Sequence, residues 1–287
     1  MNNAVADTGA AADAVASPRM TGGSRDGPLV VLTYAHAGAE LLREVLSACP
    51  GVTCTMGTGV IPLCHATLAV WRTVEGRDAP PSALAIRSVR TLAATMITAI
   101  QAGSGATRWC EIAVATPEAA TAFLQVFPST AFLCLHRGFD GVLADGLKAY
   151  PWGLGASPFW PYAGSHPGNS VATIAEYWAA GTERLLDFEA GHAECCGRVR
   201  YEDLVADRDR VAAAVHGFMG LDTDVEPGLR APRAAVSETP DEAKRAEQLA
   251  CLPGWARAKI GGLHTRLGYP SLFGKDGLAA GPEQSFG

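Results

Sequence analysis

The chemistry open to this chain rests on four residues, His36, Glu40, Glu111 and Arg137. His36 and Glu40 stand four residues apart, where a small-residue turn at 35–39 gives way to a helical pattern. One proton donor and one acceptor at that spacing could form a general acid/base pair. A carboxylate at the first helical position also complements the helix dipole and helps to cap it, and both readings stand. Glu111 lies in a short apolar run at 110–114; it is either a catalytic or substrate-orienting carboxylate or the ion-pair partner of Arg108 or Arg137. Arg137 follows another such run, at 131–135. Its guanidinium could hold a carboxylate or phosphate through two parallel hydrogen bonds, or neutralise Asp145 or Glu111.

Between 150 and 170 the sequence is dense in aromatic residues, Pro and Gly, with Trp152, Phe159, Trp160 and Tyr162 among them. Loops of that length in a compact domain are usually functional. These rings either line a lid over a hydrophobic or aromatic small molecule or pack the loop on itself. His65, His166, His192, His216 and His264 share no ligand spacing, and the cysteines form no CxxC pair, so no metal site is expected. Glu202 and Asp203, at the end of a strand-like run, read as structural anchors.

The elements that must position these groups follow from hydrophobic periodicity. A strand-like run at 28–34, the turn, and apolar residues at helical spacing through Leu41, Leu42, Val45 and Leu46 give strand, tight turn and helix. Such a turn offers free backbone N–H groups and the positive end of a helix dipole to an anion, although the GxxxxGK[ST] spacing is absent. Two helices are expected within 54–103, one around 63–74 and one from Ser82, a capping residue, to Ile100, as the wall of a site. Apolar runs at 110–114, 131–135 and 198–201 alternate with helical stretches at 116–127, 171–191 and 209–219. That alternation implies a parallel sheet covered on both faces.

Hydrophobic residues make up 48% of the 287 and charged residues 18%, enough for a core and too apolar for a disordered chain. The net charge of −6 argues against nucleic acid or an anionic membrane surface as a partner. Residues 1–28 are small and polar and are expected to form a flexible tail before one domain at 29–287. They lack the basic start and apolar stretch of a signal peptide, and no apolar run approaches about 20 residues, so neither export nor a membrane span is expected. The eight cysteines then read as reduced thiols of a cytoplasmic protein.

The order of these segments resembles the PAPS-dependent sulfotransferase family over nearly all of residues 28–270. The likeness is carried by Thr33-Tyr34, Gly38 and Leu41-Leu42, and then by Leu46-Ser47-Ala48-Cys49-Pro50-Gly51-Val52. It continues through Leu124, Phe127-Pro128, Phe132-Leu133-Cys134-Leu135-His136-Arg137, Arg198-Val199-Arg200-Tyr201-Glu202-Asp203-Leu204 and Phe218-Met219-Gly220-Leu221. Arg108-Trp109-Cys110-Glu111, Pro151-Trp152-Gly153-Leu154, Pro167-Gly168-Asn169, Tyr177-Trp178 and Leu267-Gly268-Tyr269-Pro270 look like a bacterial branch of that family. The resemblance implies a single-domain, P-loop-like α/β fold with a central parallel sheet flanked by helices. It puts Gly38, Ala39 and Arg137 at the cofactor and His36, Glu40 and Glu111 at the reaction centre; Trp109 and, from the aromatic loop, Trp152, Phe159 and Trp160 are the expected substrate contacts.

The sequence departs from the family's pattern where the cofactor is held. The family's first loop reads roughly T-Y-P-[KR]-S-G-[ST]-[ST]; here it is Thr33-Tyr34-Ala35-His36-Ala37-Gly38-Ala39-Glu40, with the lysine or arginine and the hydroxyls gone and a carboxylate added. Arg137 matches the family's 3′-phosphate arginine, but the serine expected eight residues later is Asp145. Where the bacterial branch commonly has Lys-Ser after Trp109-Cys110-Glu111, Ile112-Ala113 stand. The expectation is a sulfotransferase-fold enzyme of bacterial specialised metabolism that has left PAPS. It would perform acid/base chemistry (cyclisation, dehydration, isomerisation or hydrolysis) on a hydrophobic small molecule, with no cofactor. The alternatives are a PAPS-dependent sulfotransferase, with the turn backbone and Arg137 holding the nucleotide, and a non-catalytic protein that binds a metabolite or a partner.

Overall fold

Leu29–Leu32 (β1) is a run of four apolar residues buried at every position, as befits an interior strand of a parallel sheet. The computed structural model describes residues 27–76, 79–114, 116–221 and 242–273. The expected tail at 1–28 therefore lies outside the described residues, apart from Gly27 and Pro28. After β1 the chain runs through α1 (Ala39–Ser47), β2 (Val52–Met56), α2 (Val60–Glu75), α3 (Ala83–Gln101), β3 (Arg108–Ala113), α4 (Pro117–Val126) and β4 (Ala131–His136). It continues through α5 (Phe139–Ala149), α6 (Trp160–Ala163), α7 (Ser170–Gly191), β5 (Cys196–Arg200), α8 (Tyr201–Ala206), α9 (Arg208–Met219), α10 (Glu242–Ala250) and α11 (Gly254–Leu267).

The five strands form one parallel sheet in the order β2-β3-β1-β4-β5. Leu29 pairs with Cys110 of β3 on one side and with Ala131 of β4 on the other. The chain thus builds the sheet first to one side of β1 and then to the other. The carboxyl end of β1 faces the switch point, where an open parallel sheet leaves a crevice. α1 packs on β2 and β3, and α7 on β4. Trp178, Phe123, Phe132 and Phe139 are among the largest side chains sealed in the core.

Two expectations change here. β2 appears where only helices were expected; it is a short edge strand whose Thr53, Cys54 and Thr55 are half-buried, too polar to read as a core run. α3 begins as expected, with Ser82 Oγ accepting from the amide of Ala85 at 3.1 Å. Among the described residues it is the one helix long and apolar enough to cross a bilayer, a property hidden in the sequence because Arg87 and Arg90 interrupt the apolar run. In this fold α3 packs against α2 and α4 through Val89, Ala93 and Ile97, and Arg90 Nε donates to the carbonyl of Val126 at 2.6 Å. All eight cysteines are free thiols.

Candidate active site

The turn at 33–38 leaves the sheet at the carboxyl end of β1, and three tyrosines fix it there. The Tyr34 hydroxyl donates to the carbonyl of Arg137 and accepts from its amide, each at 3.0 Å, which ties the turn to the end of β4. Burial pushes the Tyr34 phenol up to about 12, so it stays protonated. Tyr177 of α7 accepts the amide of Ala35 at 2.8 Å. The ring of Tyr201 lies against Gly38, where an added Cβ would come within 2.1 Å of it; with φ at 89° as well, only glycine fits. His36 also has a positive φ, 64°, a strained value for a residue with a side chain. The amides of His36, Gly38, Ala39 and Glu40 have no partner among the described residues. Open N–H groups at the positive end of α1 are an arrangement that attracts an anion.

His36 sits in an aromatic wall. Its ring stacks on Phe159, 5.4 Å between centroids, and meets Tyr150 edge-on at 6.1 Å. Phe159 packs on Tyr177 at 4.9 Å, and Tyr177 on Tyr162 at 5.8 Å. Burial lowers the imidazole's pKa; the Asp145 carboxylate opposes this and the Arg137 guanidinium adds to it. The ring is therefore neutral at pH 7 and able to accept a proton.

Arg137 enters beside it. Its Nη1 donates to Asp145 Oδ2 at 2.6 Å and to the carbonyl of His36 at 2.7 Å. One face of the guanidinium lies over the Tyr201 ring, 4.1 Å from its centroid. The Nε edge rests on Gly141 of α5, where a Cβ would stand 2.6 Å away. Nearby, Glu202 Oε1 accepts the amide of Gly138 at 2.9 Å, and burial raises its pKa. Asp203 takes Nε and Nη2 of Arg200 at 2.9 and 2.8 Å. Both carboxylates pin the chain that follows β5.

The structure gathers His36, Gly38, Ala39, Arg137 and Phe159 at the turn, and places the other expected residues elsewhere. Glu40 does not pair with His36: its side chain is 66% exposed and takes Arg43 Nε at 2.8 Å, a neighbour on the helix surface. The expected acid/base pair is not formed. Glu111 is buried and accepts from Thr55 Oγ1 at 2.6 Å, from the amide of Thr58 at 2.8 Å and from Thr58 Oγ1 at 3.0 Å. It pairs with neither Arg108 nor Arg137, and instead fastens the loop between β2 and α2. Trp109 is a core residue rather than a substrate contact: it packs on Phe123, and its Nε1 donates to Thr55 Oγ1 at 2.9 Å. The reason is that every position of β3 is buried.

Trp152 and Trp160 are 99% and 62% exposed, while Phe159, between them in sequence, is fully buried, so these three do not act as one lid. His136 and Arg137 part as strand alternation requires; His136 Nε2 meets Glu189 Oε1 at 2.8 Å, and Glu189 also holds Arg198. Tyr177 and Tyr201 belong to motifs that carry the family likeness, but the sequence assigns neither a role at the turn. Their contacts with the turn are tertiary, and no local spacing announces them. Among the described residues no group of three or more His, Cys, Asp or Glu could hold a metal ion.

A five-stranded parallel sheet with an anion-attracting turn at its switch point defines an open α/β class built around the end of its central strand. Within that class, the chain belongs to the sulfotransferase family, whose model matches residues 28–225. It is similar to the sulfotransferase domain from the curacin biosynthetic pathway, with 15% identity and a TM-score of 0.57, over 85% of this chain and 98% of that one. It is also similar to the sulfotransferase domain from the Synechococcus PCC 7002 olefin synthase, with 16% identity and a TM-score of 0.56, over 89% and 98%. Likeness at these identities shows the fold, which is the one the sequence led us to expect. No curated protein matches the sequence.

Proposed function

We propose that this chain is an enzyme of specialised metabolism that works by acid/base chemistry, without PAPS, on a hydrophobic small molecule bound at the turn after β1. The observation that carries this reading is the ion pair of Arg137 with Asp145 at 2.6 Å. The cation that the family's pattern assigns to a 3′-phosphate already holds a carboxylate and a carbonyl on Nη1. A 3′-phosphate there would lie beside Asp145, and like charges about 4 Å apart repel by roughly 4 kcal/mol at an effective dielectric of about 20. The residues of this subsite do not fit that group.

In this reading the open amides of the turn hold an anionic group of the substrate, and the half-buried rings of Tyr150 and Tyr162, backed by the sealed Phe159 and Tyr177, take its apolar part. His36, neutral and half-buried, accepts a proton from a substrate C–H or O–H and returns it to the rearranged product, so no net proton is consumed. Two of the structural neighbours come from biosynthetic systems, which supports the placing in specialised metabolism. A second reading, PAPS-dependent transfer, is favoured by one observation: the open amides of the turn are backbone groups, and survive any change of side chain.

Calorimetric titration with PAP, the desulfated cofactor product, separates the two. The expected result is no binding up to millimolar PAP. In a screen of hydrophobic monoanions, turnover should be lost in His36→Asn, since asparagine tolerates the left-handed backbone but takes up no proton near pH 7. Micromolar PAP binding that is lost in Arg137→Ala would overturn the proposal in favour of PAPS-dependent transfer.

A further inference from the structure

We infer that Asp145 sets which anions this site accepts, admitting a ligand with a single phosphate or sulfate group and rejecting one that brings a second phosphate to Arg137. The inference rests on the reading of the turn as the substrate site, and names the class of ligand that site takes.

The selectivity is built into the surroundings of one guanidinium. Asp145 sits on α5, eight residues after Arg137, and its carboxylate reaches back to Nη1 at 2.6 Å. The same nitrogen donates to the carbonyl of His36 at 2.7 Å, so Arg137 braces the strained residue of the turn while it is paired with Asp145. Tyr201 covers one face of the guanidinium, and Gly141 lies against its Nε edge. Arg137 cannot swing toward an incoming phosphate without giving up a contact that holds the turn. A phosphate that came to it instead would meet the Asp145 carboxylate already in place. The amides of Gly38, Ala39 and Glu40 carry no such counterion: the one carboxylate on that turn, Glu40, is turned out to Arg43. The site therefore has room in its charge balance for one anionic group, at the end of α1, and none beside Arg137. Asparagine or serine at 145 would remove that carboxylate, so that a phosphate coming to Arg137 would no longer meet a negative charge from α5.

Two nucleotides that differ only in the 3′-phosphate, 5′-AMP and PAP, test this by calorimetry on the full chain. The wild type is expected to bind AMP at least tenfold more tightly than PAP. Asp145→Asn should improve PAP binding at least tenfold and change AMP binding less than threefold. Asp145→Ser should do the same and stands in if the asparagine variant is poorly folded, as a thermal melt will show. An AMP preference that both variants leave unchanged overturns the role of Asp145 while the site reading survives. PAP bound more tightly than AMP by the wild type overturns both. Failure of either nucleotide to bind any of the three proteins overturns the turn as an anion site, and this inference with it.

Discussion

Replacing Gly38 with alanine is expected to destabilise the fold by about 2–5 kcal/mol, from two separable sources. A backbone at φ 89° suits glycine, and a side chain in that left-handed region costs roughly 1–2 kcal/mol. The added methyl would also stand 2.1 Å from Cδ2 and 2.5 Å from Cε2 of Tyr201, so the ring must move. Overpacking of that kind costs about 1–3 kcal/mol, and here it also disturbs the ring's contact with the Arg137 guanidinium. In guanidinium chloride unfolding the change should appear as a lower midpoint with an unchanged slope. In a melt it should appear as a loss of roughly 2–4 °C per kcal/mol for a domain of this size. Tyr201→Ala separates the sources: combined with Gly38→Ala it removes the clash, so Tyr201→Ala costs less in the Gly38→Ala background than in the wild type. A Gly38→Ala protein within about 0.5 kcal/mol of the wild type, or losses that simply add in the double variant, would refute the reasoning.

Glu111→Ala strips the acceptors from a buried junction of Thr55 and Thr58, and is expected to lower unfolding free energy by about 2–4 kcal/mol, with Glu111→Gln losing less. Calorimetric melts check this, and a normal melting temperature in the alanine variant would return Glu111 to the candidate catalytic groups. Stability should also fall with acid below about pH 6.5. Burial lowers the pKa values of His36, His136, His216 and His264, so the unfolded chain binds protons that the folded one refuses. For the sealed His136 and His264 the loss is at most about 1.4 kcal/mol per pH unit each. Glu202, raised by burial, works in the opposite sense: its contribution is present at low pH and is lost as pH rises. Denaturant midpoints at pH 7.5 and 5.5 measure the balance, and equal values at the two would contradict it.

Legibility in the sequence followed the range of the interaction. β1 and α1 could be read because an apolar run and a helical stripe are local patterns, and α3 announced its start through Ser82. β2 was missed because an edge strand of five half-polar residues owes its conformation to β3, more than fifty residues on. Within the site, the substitution of Asp145 for serine was visible as a change of charge, and the structure converts it into an ion pair. Glu40 kept two readings because its position in the sequence does not say that Arg43 would turn it outward; in the first turn of α1 it retains the one that complements the helix dipole. Trp109 was misjudged because a tryptophan in a motif looks the same whether its strand lines a cleft or the core. The tyrosines that hold the turn act across the whole fold, Tyr177 from 142 residues away, and no spacing rule reaches that far.

The central position of β1 also constrains how the protein is made. Both neighbours of Leu29 lie later in the chain, and the second, Ala131, emerges about 100 residues afterwards. At ribosomal rates of about 5–20 residues per second, the most apolar strand waits roughly 5–20 s before both of its hydrogen-bonding edges can be claimed. A nascent chain in that state is a substrate for holding chaperones and a template for aggregation. Lower growth temperatures and chaperone supply, rather than changes to the mature surface, are therefore the levers on soluble yield.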